Sequence, residues 1–239
     1  MLEGVTVVVS PALHQPGRGG IDQVDIFEQK DALQSPGQNC KDIAQRTVTI
    51  KPHPNYNEIK EAFKKLSNMG EPFSAVCYRC IEPQFADQII SGLGSQLHGA
   101  RWTPKNSFST VYLCETVEAA LEEYLARARR MKLADHKALP MVMAWVKVKT
   151  IKLLDTTDSE IAAVVDPFLA MDKIHWRAIQ DRRESASQAI GRAIKEICFS
   201  GLIAPSQALP GSRNIVIFPQ KLTPHEGLSA PILKAIYMK

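Results

Sequence analysis

Long apolar runs are missing from this chain. None approaches the roughly 18 residues that a membrane-crossing helix needs, so no transmembrane segment is expected. The opening Met1-Leu2-Glu3-Gly4 has no basic stretch ahead of an apolar one, so no secretory signal is expected. Cysteine is scarce and odd in number: Cys40, Cys77, Cys80, Cys114 and Cys198. That fits a reduced, cytoplasmic protein better than a disulfide scaffold. Cys77 and Cys80 make a single Cys-x-x-Cys pair, with neither a second pair nor closely spaced histidines to complete a zinc site; no metal is expected. Gly17-Arg18-Gly19-Gly20 lacks the Lys-Ser/Thr of a P-loop. Strong charge bias is missing too. A net charge of +4 is too mild to indicate direct nucleic-acid binding, yet it favours an anionic small ligand in a basic cleft. The sequence has no internal repeat and no low-complexity tract.

What is present is enough for a packed core. The chain has 239 residues, 45% of them hydrophobic and 23% charged. Residues 1–50 read as an irregular arm: a short strand over 4–10, then a stretch broken by Pro11, Pro16, Gly17, Pro36 and Gly37. Residues 51–239 read as the folded domain. Ile59, Ala62, Phe63 and Leu66 predict a helix over 57–69. Strands are predicted over 74–81, 109–115, 141–149, 214–218 and 232–237. The 141–149 segment is apolar on both faces, which marks an interior strand. Thr116 caps a predicted helix running to about Lys132, with Val117, Ala120, Leu121, Tyr124 and Ala128 as its stripe. Further helices are predicted over 158–165 and 185–200, the latter stopped by Gly201. Strands and helices mix without βαβ regularity, so the fold class is α+β.

Three local settings stand out. Gly99-Ala100-Arg101-Trp102-Thr103-Pro104 places an arginine beside a tryptophan after a glycine turn. Val111-Tyr112-Leu113-Cys114-Glu115-Thr116 leads into the acidic helix that holds Glu122 and Glu123. Ala204-Pro205-Ser206 lies far downstream. This order of Arg, Tyr, Glu and Ser resembles the RES-domain family over roughly residues 74–220. The family pattern reads Gly-Gly-Arg-Trp-Asn where this chain has Ala100 and Thr103 in the second and last places. Its Val-Pro-Ser-Ala segment resembles Ala204-Pro205-Ser206-Gln207. Asn214 and Pro219 match later family positions, with Phe218 replacing an Asn.

The resemblance implies a single domain with a mixed, mainly antiparallel sheet flanked by helices, similar to ADP-ribosyltransferases. It implies a toxin of a bacterial toxin–antitoxin system that binds NAD+ as substrate and breaks its nicotinamide–ribose bond, by phosphorolysis or hydrolysis. The alternatives are ADP-ribosyl transfer to a host protein and a non-catalytic interaction module. The implied partner is a cognate antitoxin carrying a DNA-binding domain; no membrane partner is implied.

Cleaving NAD+ passes through an oxocarbenium-like centre. The site needs cations for the pyrophosphate, a carboxylate near the ribose and an aromatic ring for the nicotinamide. Arg79 and Arg101 would hold phosphate. Tyr112 would orient the ligand. Counted without gaps from the family's Tyr, the catalytic Glu falls on Glu123, not Glu122. Small Ala119 and Ala120 beside it would let a ligand approach. Ser206 sits in no nucleophile elbow, so it is expected to bind ligand or to order a site residue. The competing readings are an Arg101 stem packed on Trp102, an Arg79 facing solvent at a sheet edge, a surface pair between Glu123 and Arg127, and a Ser206 that serves only its turn.

Overall fold

The computed structural model describes residues 50–229 and the backbone of 232–236. The expected arm with its strand at 4–10 lies outside the described residues. The first helix, α1 (Tyr56–Lys64), buries Ile59 and Phe63 on one side. It stops at Lys64 rather than Met69, because the chain then tightens into turns that still bury Leu66. β1 (Glu71–Ile81) follows, then the six-residue α2 (Leu93–His98), which no periodicity announced. β2 (Val111–Cys114) leads into α3 (Val117–Arg130), whose Thr116 hydroxyl accepts the Ala119 N–H as its cap.

The long strand β3 (Met141–Asp155) is the spine of a seven-stranded sheet. It runs antiparallel to β1 from Phe73↔Thr150 to Ile81↔Val142. Two more helices and a short turn of helix come next: α4 (Ser159–Leu169), α5 (Trp176–Ile179) and α6 (Ala186–Ile197). α6 carries a capping box in which Ser185 and Gln188 satisfy each other's end of the helix. β4 (Gly201–Pro205) runs parallel to β3, and β5 (Arg213–Ile217) runs antiparallel to both β4 and β2. β6 (Gly227–Leu228) and β7 (Ile232–Ile236) pair antiparallel with β3. All pairings but β3–β4 are antiparallel, and helices cover the sheet: the architecture is α+β.

The path β1-β2-β5-β4-β3 returns to β1 through the β1–β3 ladder. Each strand of this ring contributes one face to a shared core containing Cys77, Val111, Leu113, Val146, Ile203 and Ile215. The opposite faces pack against helices. α1, α4 and α6 cover Leu202, Ala204 and Val216; α3 covers Cys114, Met141 and Met143.

Gly201 corrects the sequence reading. It does not cap the helix but opens β4, a strand the sequence reading missed. A Cβ at Gly201 would collide with the Val216 carbonyl on β5, so only glycine lets these strands close. The α3 stripe is also turned from the expected one. Ala119, Ala120, Tyr124, Leu125 and Ala128 are buried, while Val117 and Leu121 are only partly covered.

Candidate active site

The Arg101 turn is held from behind. Gly99 takes a positive φ of 72°, which L side chains rarely adopt. Ala100 and Thr103 then exchange two backbone hydrogen bonds, of 2.8 and 3.2 Å. Gln188 of α6, fully buried, donates its Nε2 to the carbonyls of both Ala100 (3.1 Å) and Thr103 (3.2 Å). Trp102 is buried and anchors the turn, and α6 offers Gly191 to the Trp102 carbonyl, where any Cβ would clash. The Trp102 N–H donates to the Tyr112 hydroxyl at 3.0 Å, and the Thr103 hydroxyl lies 3.2 Å from the same oxygen. The turn therefore fixes both the arginine and the tyrosine.

Arg101 leaves this turn half-buried. Its guanidinium lies 4.8 Å from the Trp102 ring centre and donates to the Pro205 carbonyl at 3.0 Å. Desolvation lowers its pKa, with Tyr112 and Glu123 acting in the opposite direction. Burial pushes the Tyr112 hydroxyl up to about 12, so it stays protonated at neutral pH.

Glu123, on the side of α3 next to its buried face, meets two donors. Its Oε1 accepts the Ser206 hydroxyl at 2.7 Å and the Asn214 amide at 2.8 Å. Among the described residues, its Oε2 has no partner. Ser206 is held in turn, because its oxygen accepts the N–H groups of Ala208 (3.2 Å) and Leu209 (3.1 Å). Asn214 is held by the Cys114 thiol, which donates to its Oδ1 at 3.3 Å. Arg213, beside it, makes a two-pronged pair with Glu115 and a further contact with Asp155. Glu122 faces elsewhere and pairs with Arg129 at 3.0 Å. Arg127 pairs with Glu82 at 3.3 Å, not with Glu123.

The structure thus gathers Arg101, Tyr112, Glu123 and Ser206. Arg79 is placed differently. It shares the strand face of Cys77 and Ile81, and its guanidinium donates to the Ile89 carbonyl at 2.6 Å. Desolvation lowers its pKa to about 10. It lies in electrostatic reach of Cys114 and Tyr112, yet among the described residues no hydrogen bond joins it to Glu123, Ser206 or Arg101. The small residues Ala119 and Ala120 also act otherwise than expected. Both are buried against the sheet, so they let α3 approach the strands rather than admitting a ligand.

Two polar residues escaped the sequence reading of the site. Asn214 was visible only as a motif position. Gln188 was visible only in a helix N-terminus, with no signal of what it clamps. Cys77 and Cys80 point to opposite faces: Cys77 is in the ring core and Cys80 Sγ lies 3.7 Å from Met143 Sδ. Among the described residues, no group of three or more His, Cys, Asp or Glu could hold a metal ion. No described helix is long and apolar enough to cross a membrane.

The fold has a counterpart among known structures. A chain from the crystal structure of the M. tuberculosis MbcT–MbcA toxin–antitoxin complex superposes with a TM-score of 0.55 at 20% identity, covering 73% of this chain and 92% of that one. No curated protein matches. The RES domain matches residues 76–231, which include Arg79, Arg101, Tyr112, Glu123 and Ser206. The chain belongs to the RES-domain family.

Proposed function

We infer that this chain is the toxin of a bacterial toxin–antitoxin system, that it binds NAD+ in the cleft around Glu123, and that it cleaves the nicotinamide–ribose bond. Residues 51–239 would form the catalytic domain, acting in the cytoplasm without a metal. The observation that carries the reading is the Glu123 carboxyl group, oriented through one oxygen by Ser206 and Asn214 while the other stays open.

In this reading the glycosidic bond breaks and its electron pair leaves with nicotinamide, which becomes neutral. Positive charge passes to the ribose, where the open Glu123 oxygen stabilises it. Arg101 binds phosphate through its fork of donors. The Tyr112 ring orients the nicotinamide end. Ser206 positions Glu123 by donating to its Oε1, and it sits in no nucleophile elbow. The acceptor then gives an electron pair to the ribose carbon and releases a proton. Family membership and the superposition on a chain of a toxin–antitoxin complex support the toxin reading and a neutralising protein partner.

The test is product identification. The purified chain is incubated with NAD+ in the presence and absence of phosphate, and products are weighed by mass spectrometry. Free nicotinamide is expected in either case. A phosphorylated ADP-ribose marks phosphorolysis, and ADP-ribose marks hydrolysis. Intact NAD+ after prolonged incubation at high enzyme concentration would refute the reading.

A further inference from the structure

The Asn214 amide has two unlike ends, and only one of them suits a carboxylate. Its Oδ1 accepts hydrogen bonds and its Nδ2 donates them, although the two ends are almost the same size. Nδ2 donates to Glu123 Oε1 at 2.8 Å. Turned over, the amide would set Oδ1 against Glu123 Oε1, acceptor against acceptor. How firmly the useful orientation is held depends on what meets the other end. Strand register supplies that group. Cys114, the last residue of β2, stands directly opposite Asn214 of β5 and, on its other side, opposite Tyr78 of β1. Side chains opposed in this way lie close, with Cβ atoms about 4.5–5.5 Å apart. The Cys114 thiol donates to Asn214 Oδ1 at 3.3 Å, and among the described residues it is the only donor there.

Cys114 is buried in the cluster of Tyr124, Met141 and Met143 beneath α3. A thiol suits that place, because it packs as a small apolar group and still keeps one weak donor. Burial, and after it the charge of Glu123, pushes the thiol pKa up, so the donor proton stays on sulfur at neutral pH. The other described cysteines make no such link. Cys77 lies in the ring core, Cys80 Sγ meets Met143 Sδ, and the exposed Cys198 takes a hydrogen bond from Lys152. We propose that Cys114 is a positioning residue whose thiol locks the Asn214 amide with its donor end toward Glu123. The lock thereby sets which carboxylate oxygen is held and which stays open. Its effect on NAD+ cleavage rests on the reading of Glu123 given above; the lock itself does not. Without the thiol, Asn214 Oδ1 loses its donor, the amide turns over more freely, and Glu123 is held only part of the time.

The experiment takes two readouts from the full chain. Wild type is compared with Cys114→Ala, with Cys114→Val, which keeps the volume without a donor, and with Cys114→Ser, which restores a donor. Cys80→Ala is the control, since it removes a thiol from the same cluster without touching Asn214. Circular dichroism verifies folding of each. The first readout is the Asn214 side-chain NH2 pair in heteronuclear NMR, identified by its loss in Asn214→Ala; it needs no substrate. Exchange of this pair with water is expected to quicken about tenfold in Cys114→Ala and Cys114→Val, and to stay near wild type in Cys114→Ser and Cys80→Ala. The second readout is steady-state nicotinamide release from NAD+. Cys114→Ala and Cys114→Val are expected to lower kcat about three- to tenfold with KM nearly unchanged, and Cys114→Ser to recover most of the loss. A wild-type chain that releases no nicotinamide while its variants show the NMR response defeats the NAD+ reading and leaves the amide lock standing. The proposal is overturned if amide exchange in Cys114→Ala and Cys114→Val matches wild type, if Cys80→Ala quickens it equally, or if Cys114→Ser behaves as Cys114→Ala does. It is also overturned if wild type cleaves NAD+ and both donor-free variants cleave it at the same rate.

Discussion

Glu123 owes its orientation to neighbours that are distant in sequence. Ser206 and Asn214 reach the same oxygen from the end of β4 and the start of β5, so each should matter through Glu123 rather than by itself. Each net hydrogen bond of this kind contributes about 1–3 kcal/mol where a charged group is oriented. Ser206→Ala and Asn214→Ala are therefore each expected to slow nicotinamide release about tenfold or more, mainly in kcat. The double variant should lose less than the product of the two, because both act on one carboxyl oxygen. Strictly multiplicative losses would show that the two act separately. Glu123, Arg101, Tyr112 and Ser206 were legible in the sequence as motif positions. Arg79 was legible as a residue type on a strand but not in its contact, since its guanidinium meets the Ile89 carbonyl. Gln188 was not legible as a site residue. Its importance comes from what the chain brings near it: the Ala100 carbonyl, 88 positions away.

At the scale of elements, α6 is the buttress of the site. Gly191 permits it to touch the Trp102 carbonyl. In a free helix, Gly→Ala would stabilise by up to about 1 kcal/mol. Here Gly191→Ala is expected to destabilise by about 1–3 kcal/mol in urea unfolding and to weaken NAD+ binding, because the added methyl displaces the Arg101 turn. Unchanged or increased stability would show that the contact is loose.

The N-terminal end of α6 is also tied to the start of α1. The backbone N–H of His53 donates to Glu184 at 3.1 Å, and its ring faces Asp172 at 3.9 Å. Glu184 is bidentate with Arg192, and Asp172 receives Arg183. Burial lowers the His53 pKa from 6.5, Asp172 raises it, Arg183 lowers it and Glu184 raises it. The unfolded chain therefore takes up a proton below about 6.5 that the folded chain refuses. Stability falls as pH drops through that window, down to the folded pKa, and rises as pH increases. His53→Gln should flatten the slope of stability just below about pH 6.5. An unaltered slope would assign it to other groups.

Helices with a strong apolar stripe and good caps, such as α3 and α6, were legible within a few residues. β4 was not, because a five-residue apolar strand between Gly201 and Pro205 reads like a helix stop followed by a turn. α2 and α5 were too short to show a period.

For the whole molecule, the ring of strands places β2, β4 and β5 so that motifs from three separate stretches meet around Glu123. The overall class was readable from the mixture of strand and helix patterns. The closure of the ring was not, because it depends on β1 pairing with both β2 and β3. Arg101 is the cation of the gathered site, so a neutralising partner would best meet it with an acidic side chain or a terminal carboxylate. Under such occlusion, NAD+ and the partner compete, and Arg101→Lys weakens both. Expression of the chain alone is expected to stop growth, and co-expression with the partner to restore it. A purified complex that consumes NAD+ at the free chain's rate would rule occlusion out.

The central claim is that one oriented carboxyl group, Glu123, stabilises the breaking of the nicotinamide–ribose bond. Its adjacent twin provides the control, since Glu122 is taken by Arg129. The decisive measurement is the rate of nicotinamide release from NAD+ by the wild-type chain, Glu123→Ala and Glu122→Ala, with folding verified for each. The account predicts a loss on the order of 10²-fold or more for Glu123→Ala and little change for Glu122→Ala. Equal rates for Glu123→Ala and wild type, or the larger loss in Glu122→Ala, would contradict it.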